Sequence, residues 1–321
     1  MLWVIGQPPE QVELARRSQD HWRLAAKDAG FWFRQSGSLT LAYNPLEAQV
    51  LAETGHPLLC PDEILEKYPF IRSEGLLAGL HSPSEAAVDP RHVTHQLAAF
   101  LARQGVQFRW QHPVRHVQSG EVHLATGEIA TFDAVAICAG PVIDQLIPDA
   151  VRNAGLIRTQ LQMLRLTPQE DVPRIGIHLC AGLTLGHYRN FSDCPSLPAL
   201  KAFHRERWPK QVENGIHVLV AEHEDGALTV GDSHHYGPSV LPYREESIDQ
   251  AILDALNQFL PVERYRMAQR WLGWYNTHPT LPYWLHKIDP QTWAVNLFGT
   301  GMTLSFGVTE QLADSIEQSI P

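Results

Sequence analysis

The chain has 321 residues, 44% of them hydrophobic and 19% charged, with a formal net charge of −10. That is enough for two domains or one large one, and the acidic balance argues against broad binding to nucleic acid or to an anionic membrane surface. No run nears the roughly 18 apolar residues of a membrane helix. The first residues lack the basic start and apolar stretch of a secretory signal, and four cysteines without CxxC spacing give neither a structural zinc site nor a disulfide framework. The expectation is a cytoplasmic protein.

Pro8-Pro9 lead into a helix predicted over 10–29, with Leu14, Ser18, Trp22, Ala25 and Ala29 on one face and Gly30 placed to end it. Two short strands, 31–34 and 38–43, read as a hairpin through Ser36-Gly37. Asn44-Pro45-Leu46-Glu47 has the form of a helix start, Asn44 as cap and Glu47 reaching back as in a capping box, and Gly55 closes that helix. Asp89-Pro90-Arg91 opens another helix, through Val93, Leu97, Phe100 and Leu101 to Gly105.

Beyond Gly105 the period turns to alternation. Val106, Phe108 and Trp110 share one face of a predicted strand, 114–117 continues the β pattern, and 122–125 and 129–132 flank a Thr126-Gly127 turn. The segment 133–138 is almost wholly apolar, as a strand buried on both faces must be, and stops at Ala139-Gly140-Pro141. From about Gly155 the chain reads largely as β: a long strand over 156–166, then 216–222 and 227–230 joined by the strong hairpin signal Asp225-Gly226. A helix carrying Ile248, Ile252, Leu256 and Phe259 follows, ending by Pro261. The C-terminal end is a strand over 293–298, the turn Gly299-Thr300-Gly301, and a helix from Thr303 to about Ser319. The fold class is mixed α/β, with the two ends of the chain meeting in one layer.

Two glycines one residue apart, between a strand and a helix, let backbone N–H groups approach a ligand, and the helix start behind them favours partial negative charge. Such a turn suits a phosphate or the carbonyl edge of a flavin, though a plain tight turn uses the same glycines. The small residues ending the apolar strand at Ala139-Gly140 carry the same two readings, since ligands of open α/β sheets sit beyond the carboxyl ends of strands.

As an ordered set, Asp89-Pro90, Gly105-Val106, Val114, Asp133-x-Val135-x-x-Cys138-Ala139-Gly140 and Gly299-Thr300-Gly301-Met302 resembles the FAD-dependent amine oxidoreductases of the D-amino-acid oxidase, glycine oxidase and sarcosine oxidase superfamily. Within it, four segments resemble a subgroup linked to aminophosphonate breakdown: residues 1–8, Leu161-Gln162-Met163-Leu164-Arg165, the run from Gly231 to Gly237, and Gly301-Met302-Thr303-Leu304-Ser305-Phe306-Gly307. The resemblance implies an FAD-binding Rossmann-like domain, from 1–30, 86–150 and 270–321, interleaved with an antiparallel-sheet substrate domain from 31–85 and 151–269. It implies that Val114 contacts the adenine, that Ala139 and Gly140 lie along the ADP half, and that Gly299, Thr300, Gly301, Met302, Thr303 and Leu304 carry the flavin ring edge, with Met1 and Leu2 passing beside it. The implied reaction is oxidation of a small amine by hydride transfer to FAD, with oxygen or another acceptor taking the electrons onward.

Two departures qualify this. The superfamily's opening strand and Gly-x-Gly-x-x-Gly turn, which seats the diphosphate, has no counterpart in the sequence. Met1 aligns just after that portion, so the cofactor domain is expected to be truncated by one unit of roughly 30 residues. A fragment unable to hold FAD, and so without catalytic activity, is the alternative reading. Secondly, the arginine that holds a substrate carboxylate in amino-acid oxidases is replaced by Tyr275. A planar carboxylate wants a bidentate arginine, so an amine with a different anionic group, such as an aminophosphonate, is expected. Arg165, His187, Arg189, His234, Tyr236 and Tyr275 are the candidate substrate contacts. A metal site, and with it a metal-dependent hydrolase, is not expected, because the adjacent His234 and His235 of a strand point to opposite faces and no paired ligand motif accompanies them.

Overall fold

The computed structural model describes residues 1–319, and the architecture is that of these residues. Proline at the first helical position and Gly30 in the left-handed conformation (φ 76°) bound the helix Pro9–Ala29. Its buried stripe of Leu14, Ala15, Ser18 and Trp22 packs on the C-terminal helix Gly301–Glu317 through Leu304, Gly307, Val308 and Leu312. Side chains tie the ends together as well: the Trp3 backbone N–H donates to Thr303 Oγ1 at 3.0 Å, and the Trp22 indole donates to the Met302 carbonyl at 2.9 Å. The two ends of the chain therefore do meet, and they meet at the start of the C-terminal helix.

The largest sheet has nine strands among the described residues. In spatial order they are His235–Gly237, Ile157–Pro168, Leu228–Gly231, Leu219–Glu222, His178–Ala181, Ser38–Ala42, Ala78–Ser82 and Leu58–Leu59, with Tyr265–Thr277 paired along the other edge of Ile157–Pro168. The Asp225-Gly226 turn makes its hairpin as expected, Val220 opposite Val230, with Gly226 at φ 84°. One face of this sheet, with Leu39, Leu164, Leu179, Val220 and Val230, is closed by the helix Glu246–Leu256 through Ile248, Ile252 and Leu256. Each fully buried aliphatic side chain of this kind contributes about 2 kcal/mol. Residues 270–277, expected on the cofactor side, hydrogen-bond as part of this large sheet.

A second sheet joins Tyr283–Asp289 and Thr292–Leu297 to Val135–Ile137, the last pairing parallel. This is the sheet that delivers both Ala139-Gly140 and the Gly299-Thr300-Gly301 turn. Val135–Ile137 is not buried on both faces, as its apolar run suggests; Ala136 is exposed and only Ile137 is buried, because the strand lies at the edge of its sheet. A three-stranded sheet of Val114–Gln118, Glu121–Leu124 and Ile129–Thr131 flanks it.

Two other expectations are corrected. Phe33–Gln35 and Ser38–Ala42 do not form a hairpin: the first pairs with Ala86–Val88, the second with Ala78–Ser82 and His178–Ala181. The Ser36 and Gly37 N–H groups both donate to the Glu85 carbonyl, so the turn directs the two strands into different sheets. Residues 106–110 form no strand. Phe108 and Trp110 stack on one another, centroids 5.2 Å apart, outside any ladder.

His178 opens a central strand fully enclosed, at 2% exposure, with Ser36 Oγ at 3.2 Å from Nε2 and no partner for Nδ1. Burial pushes its pKa down to about 3, and the Met1 α-amino group, His223 and Arg34 add to the effect, against a backbone contact with Ala86. The unfolded chain takes up a proton near pH 6.5 that the native imidazole refuses. Stability is therefore present above pH 6.5 and falls as the pH drops, by about 2 kcal/mol from this one group at pH 5. Urea unfolding at pH 7 and pH 5 is expected to show this loss, and His178→Gln to reduce it; an unchanged pH slope in the variant would contradict the assignment.

Candidate functional site

Loops at the ends of the large sheet face the glycine turn across a cavity of about 720 Å³. Phe298, Gly299, Thr300, Gly301 and Met302 form one wall, and Gly6, Gln7 and Pro8 lie beside them. Tyr275, on Tyr265–Thr277, stands opposite, close enough that a β-carbon on Gly299 would lie 2.9 Å from its Oη. Glycine at 299 is what lets strand, turn and tyrosine approach so closely.

The remaining wall is rich in histidine. His187 and Tyr188 follow the 3-10 turn Gly182–Gly186, His217 precedes Leu219–Glu222, and Asp232 and His234 follow Leu228–Gly231. The imidazole centroids of His187, His217 and His234 lie 3.9 to 5.0 Å apart. His217 Nε2 is 3.2 Å from Asp232 Oδ1, and His234 Nε2 is 3.1 Å from Tyr275 Oη. Tyr188 stands edge-on to His217 and to Trp3.

Enclosure governs the electrostatics. Burial pushes Asp232 up to about 8, and pushes His234 down to about 4 with His235 adding. His187 faces the cavity, yet its surroundings still bring it down to about 3, with His234 and Lys201 contributing. His217 is held well below its usual range by burial and by its two imidazole neighbours. Burial also raises the hydroxyls of Tyr188, Tyr236 and Tyr275. At neutral pH the cluster is thus a set of uncharged donors and acceptors.

Of the residues picked from sequence, His187, Arg189, His234, Tyr236, Tyr275, Gly299, Thr300, Gly301 and Met302 line this cavity. Thr303 and Leu304 lie just behind it, Thr303 holding Trp3 and Leu304 buried in the core. Val114 and Ala139 pack on the apolar cluster of Ile137 and Phe298, and the Gly140 carbonyl accepts from Asn296 Nδ2 at 2.6 Å. Met1 and Leu2 do not reach the cavity, because Leu2 bridges to Ala86 in both directions. Arg165 is also outside it: its guanidinium is buried and paired with Asp225. Arg158, on the same strand, is paired with Asp144. Sequence reading missed His217, which carries no local motif.

The donor set at the glycine turn fits the ring end of a flavin. The first N–H groups of an α-helix have no intrahelical partner, and here they open on a cavity walled by aromatic residues. Gly140, with positive φ (56°) and open space where a β-carbon would stand, and the buried, unpartnered Asn296 Oδ1 beside it extend a polar track along the ends of the parallel strands.

Comparison with known proteins gives one family match covering most of the chain. The family described as "FAD dependent oxidoreductase" matches residues 2–315. Among solved structures, glycine oxidase from Geobacillus kaustophilus superposes with a TM-score of 0.74 at 17% identity, covering 96% of this chain and 79% of that one. Iminodiacetate oxidase from Chelativorans sp. BNC1 gives 0.73 at 15% identity, covering 100% and 84%. L-proline dehydrogenase from P. horikoshii gives 0.75 at 16%, covering 97% and 79%. These likenesses establish the fold. In sequence, mitochondrial dimethylglycine dehydrogenase of Homo sapiens is 29% identical over 96 residues, which is 27% of this chain and 11% of that protein. The chain thus matches a small part of the length of these curated relatives.

Proposed function

Since the chain belongs to the FAD dependent oxidoreductase family, we propose that it oxidises a small amine whose anionic group is not an α-carboxylate, an aminophosphonate being the favoured class. The observation that carries this reading is the single cavity shared by the glycine turn and by a donor-rich wall without a committed arginine. Arg189, the one arginine lining that cavity among the described residues, is 59% exposed on its side chain and lies 3.4 Å from Glu10. Tyr275 occupies the position where a carboxylate-binding arginine is expected.

Bound FAD supplies the acceptor for the hydride leaving the amine carbon. The residues of this chain position and polarise. Gly299, Thr300 and Met302 offer backbone N–H groups, the Gly301 N–H being taken by the Phe298 carbonyl, and the helix start adds the positive end of its dipole where negative charge accumulates on reduction. Tyr236 donates to the tetrahedral head group, the Tyr275 hydroxyl and His234 Nε2 hold one another in place beside it, and holding the amine carbon against the ring is the main catalytic contribution. Met163 and the Trp271–Trp274 stretch of the sheet edge supply apolar wall that excludes water.

Anaerobic mixing of the flavin-loaded protein with a panel of amines tests this reading. Aminoethylphosphonate or its N-methyl derivative is expected to bleach the flavin absorbance at least tenfold faster than glycine or N-methylglycine. Faster reduction by the α-amino acids would overturn the substrate class, and no reduction by any amine would overturn the reaction.

A further inference from the structure

We propose that His187, His217 and His234, with the Asp232 carboxylate beside them, form a binding site for one divalent transition-metal ion, of the zinc class, on the wall of the cavity. The proposal goes beyond amine oxidation and is tested without it.

Three separate segments converge here. One ligand atom from each histidine can be chosen so that all lie within 4.8 Å of one another. Asp232 Oδ1 is 3.2 Å from His217 Nε2, and its Oδ2 is 3.8 Å from His234 Nε2. Zinc–nitrogen bonds of about 2.1 Å place ligand atoms roughly 3 to 3.5 Å apart, so loading draws the rings together by about 1.5 Å at most. His187, exposed to the cavity, is the ring with room to move.

His234 is already set as a ligand. Its Nδ1 lies 3.1 Å from the Gly215 carbonyl, which can only accept, so Nδ1 carries the proton and Nε2 keeps its lone pair, which accepts from the Tyr275 hydroxyl at 3.1 Å until a metal displaces it. A second nitrogen fastened to a backbone carbonyl is the usual orientation device of metal-bound histidines. His217 is the second observation. It is 2% exposed, and neither ring nitrogen makes a hydrogen bond of acceptable geometry, the Asp232 carboxyl 3.2 Å from Nε2 included. Burying a polar group in this state costs about 1–3 kcal/mol, and a metal takes up one of the two nitrogens. Imidazole-rich sets with one carboxylate suit zinc, iron or nickel in preference to magnesium or calcium.

The test uses the untagged full chain, stripped with a chelator and titrated with zinc chloride by calorimetry. Cobalt(II) visible absorption serves as a second readout. One equivalent is expected to bind in the micromolar range or tighter, with intense cobalt bands of low coordination number and a raised melting temperature. His187→Gln is expected to weaken binding at least 100-fold without loss of folding, because that ring faces the cavity, and His234→Gln to do the same. His95→Gln, on an exposed helix face, is expected to bind as the parent does. The absence of one saturable equivalent, or parent-like affinity in both cluster variants, overturns the proposal. Metal binding without amine-dependent flavin reduction would refute only the amine reading, and the reverse result only the metal site.

Discussion

Replacing Gly307 with valine is expected to destabilise the protein by about 3 kcal/mol. Gly307 lies inside the helix Gly301–Glu317, where it crosses Pro9–Ala29. A β-carbon there would stand 2.7 Å from Leu14 Cδ1 and 2.8 Å from the Leu14 carbonyl oxygen. The first contact could relax by a rotamer change. The second is backbone within a helix, and it gives way only if the two helices separate. Helix propensity works in the opposite direction, since glycine in a helix interior costs about 1 kcal/mol relative to alanine. Overpacking of a tight interior costs about 1–3 kcal/mol, and valine adds three carbons where even one has no room. Separation would also loosen Leu304, Val308 and Leu312 from Leu14 and Ala15. Urea unfolding should show a lower midpoint; a variant as stable as the parent would mean that the helices do not cross at this glycine.

The same contact explains how much the sequence discloses. Helix limits are legible because they are local: Pro9, Asn44 and Asp89 stand at helix starts, and Asn44 Oδ1 accepts from Leu46 and Glu47 N–H as its position suggests. Even there one partner differs, for Glu47 binds the Tyr43 N–H and not that of its cap. The Asp225-Gly226 hairpin and the strand–glycine–helix turn at 299–301 are legible for the same reason. What local pattern could not supply was the partner. Phe33–Gln35 finds its neighbour some 50 residues on, past a better hairpin candidate. The alternation of Val106, Phe108 and Trp110 mimics a strand face, although two of its aromatics satisfy each other.

The histidine cluster is the extreme case. His234 and His235 do point apart, His234 buried and His235 exposed on its strand, as the two-residue period demands. From that correct premise a metal set looked excluded. The fold brings two further histidines beside His234: His217 from just before the neighbouring strand Leu219–Glu222, and His187 from a turn some 30 residues earlier still. Neither has a spacing that a motif could record. In the same way, Arg165 looked available for substrate because its strand was correctly read, while its partner Asp225 lies 60 residues away in the hairpin turn.

Gly299→Val is expected to strip most of the flavin from the protein while leaving the fold largely intact. The Gly299 backbone is not in the left-handed region, so valine is tolerated conformationally and the effect is one of space. Its β-carbon would point at Tyr275, 2.9 Å from Oη and 3.2 Å from Cζ, in the gap between the glycine turn and the opposite wall. Valine adds two further methyl groups to a cavity that has to accept a flat ring edge against the N–H groups of the turn. It also displaces the Tyr275 hydroxyl from His234. A tenfold or greater loss of FAD affinity, about 1.4 kcal/mol, is expected, measured as flavin absorbance per chain after gel filtration. Gly301→Ala is the matched comparison. Its β-carbon meets Leu297 Cβ at 3.2 Å, on the strand leading into the turn and away from the cavity, so a strain of a few tenths of an ångström is its only cost. If the glycine turn holds the flavin edge, the two variants should differ sharply in bound flavin and little in melting temperature. Equal flavin content in Gly299→Val and the parent would remove the turn from the cofactor site, and with it the reason for placing the amine in this cavity.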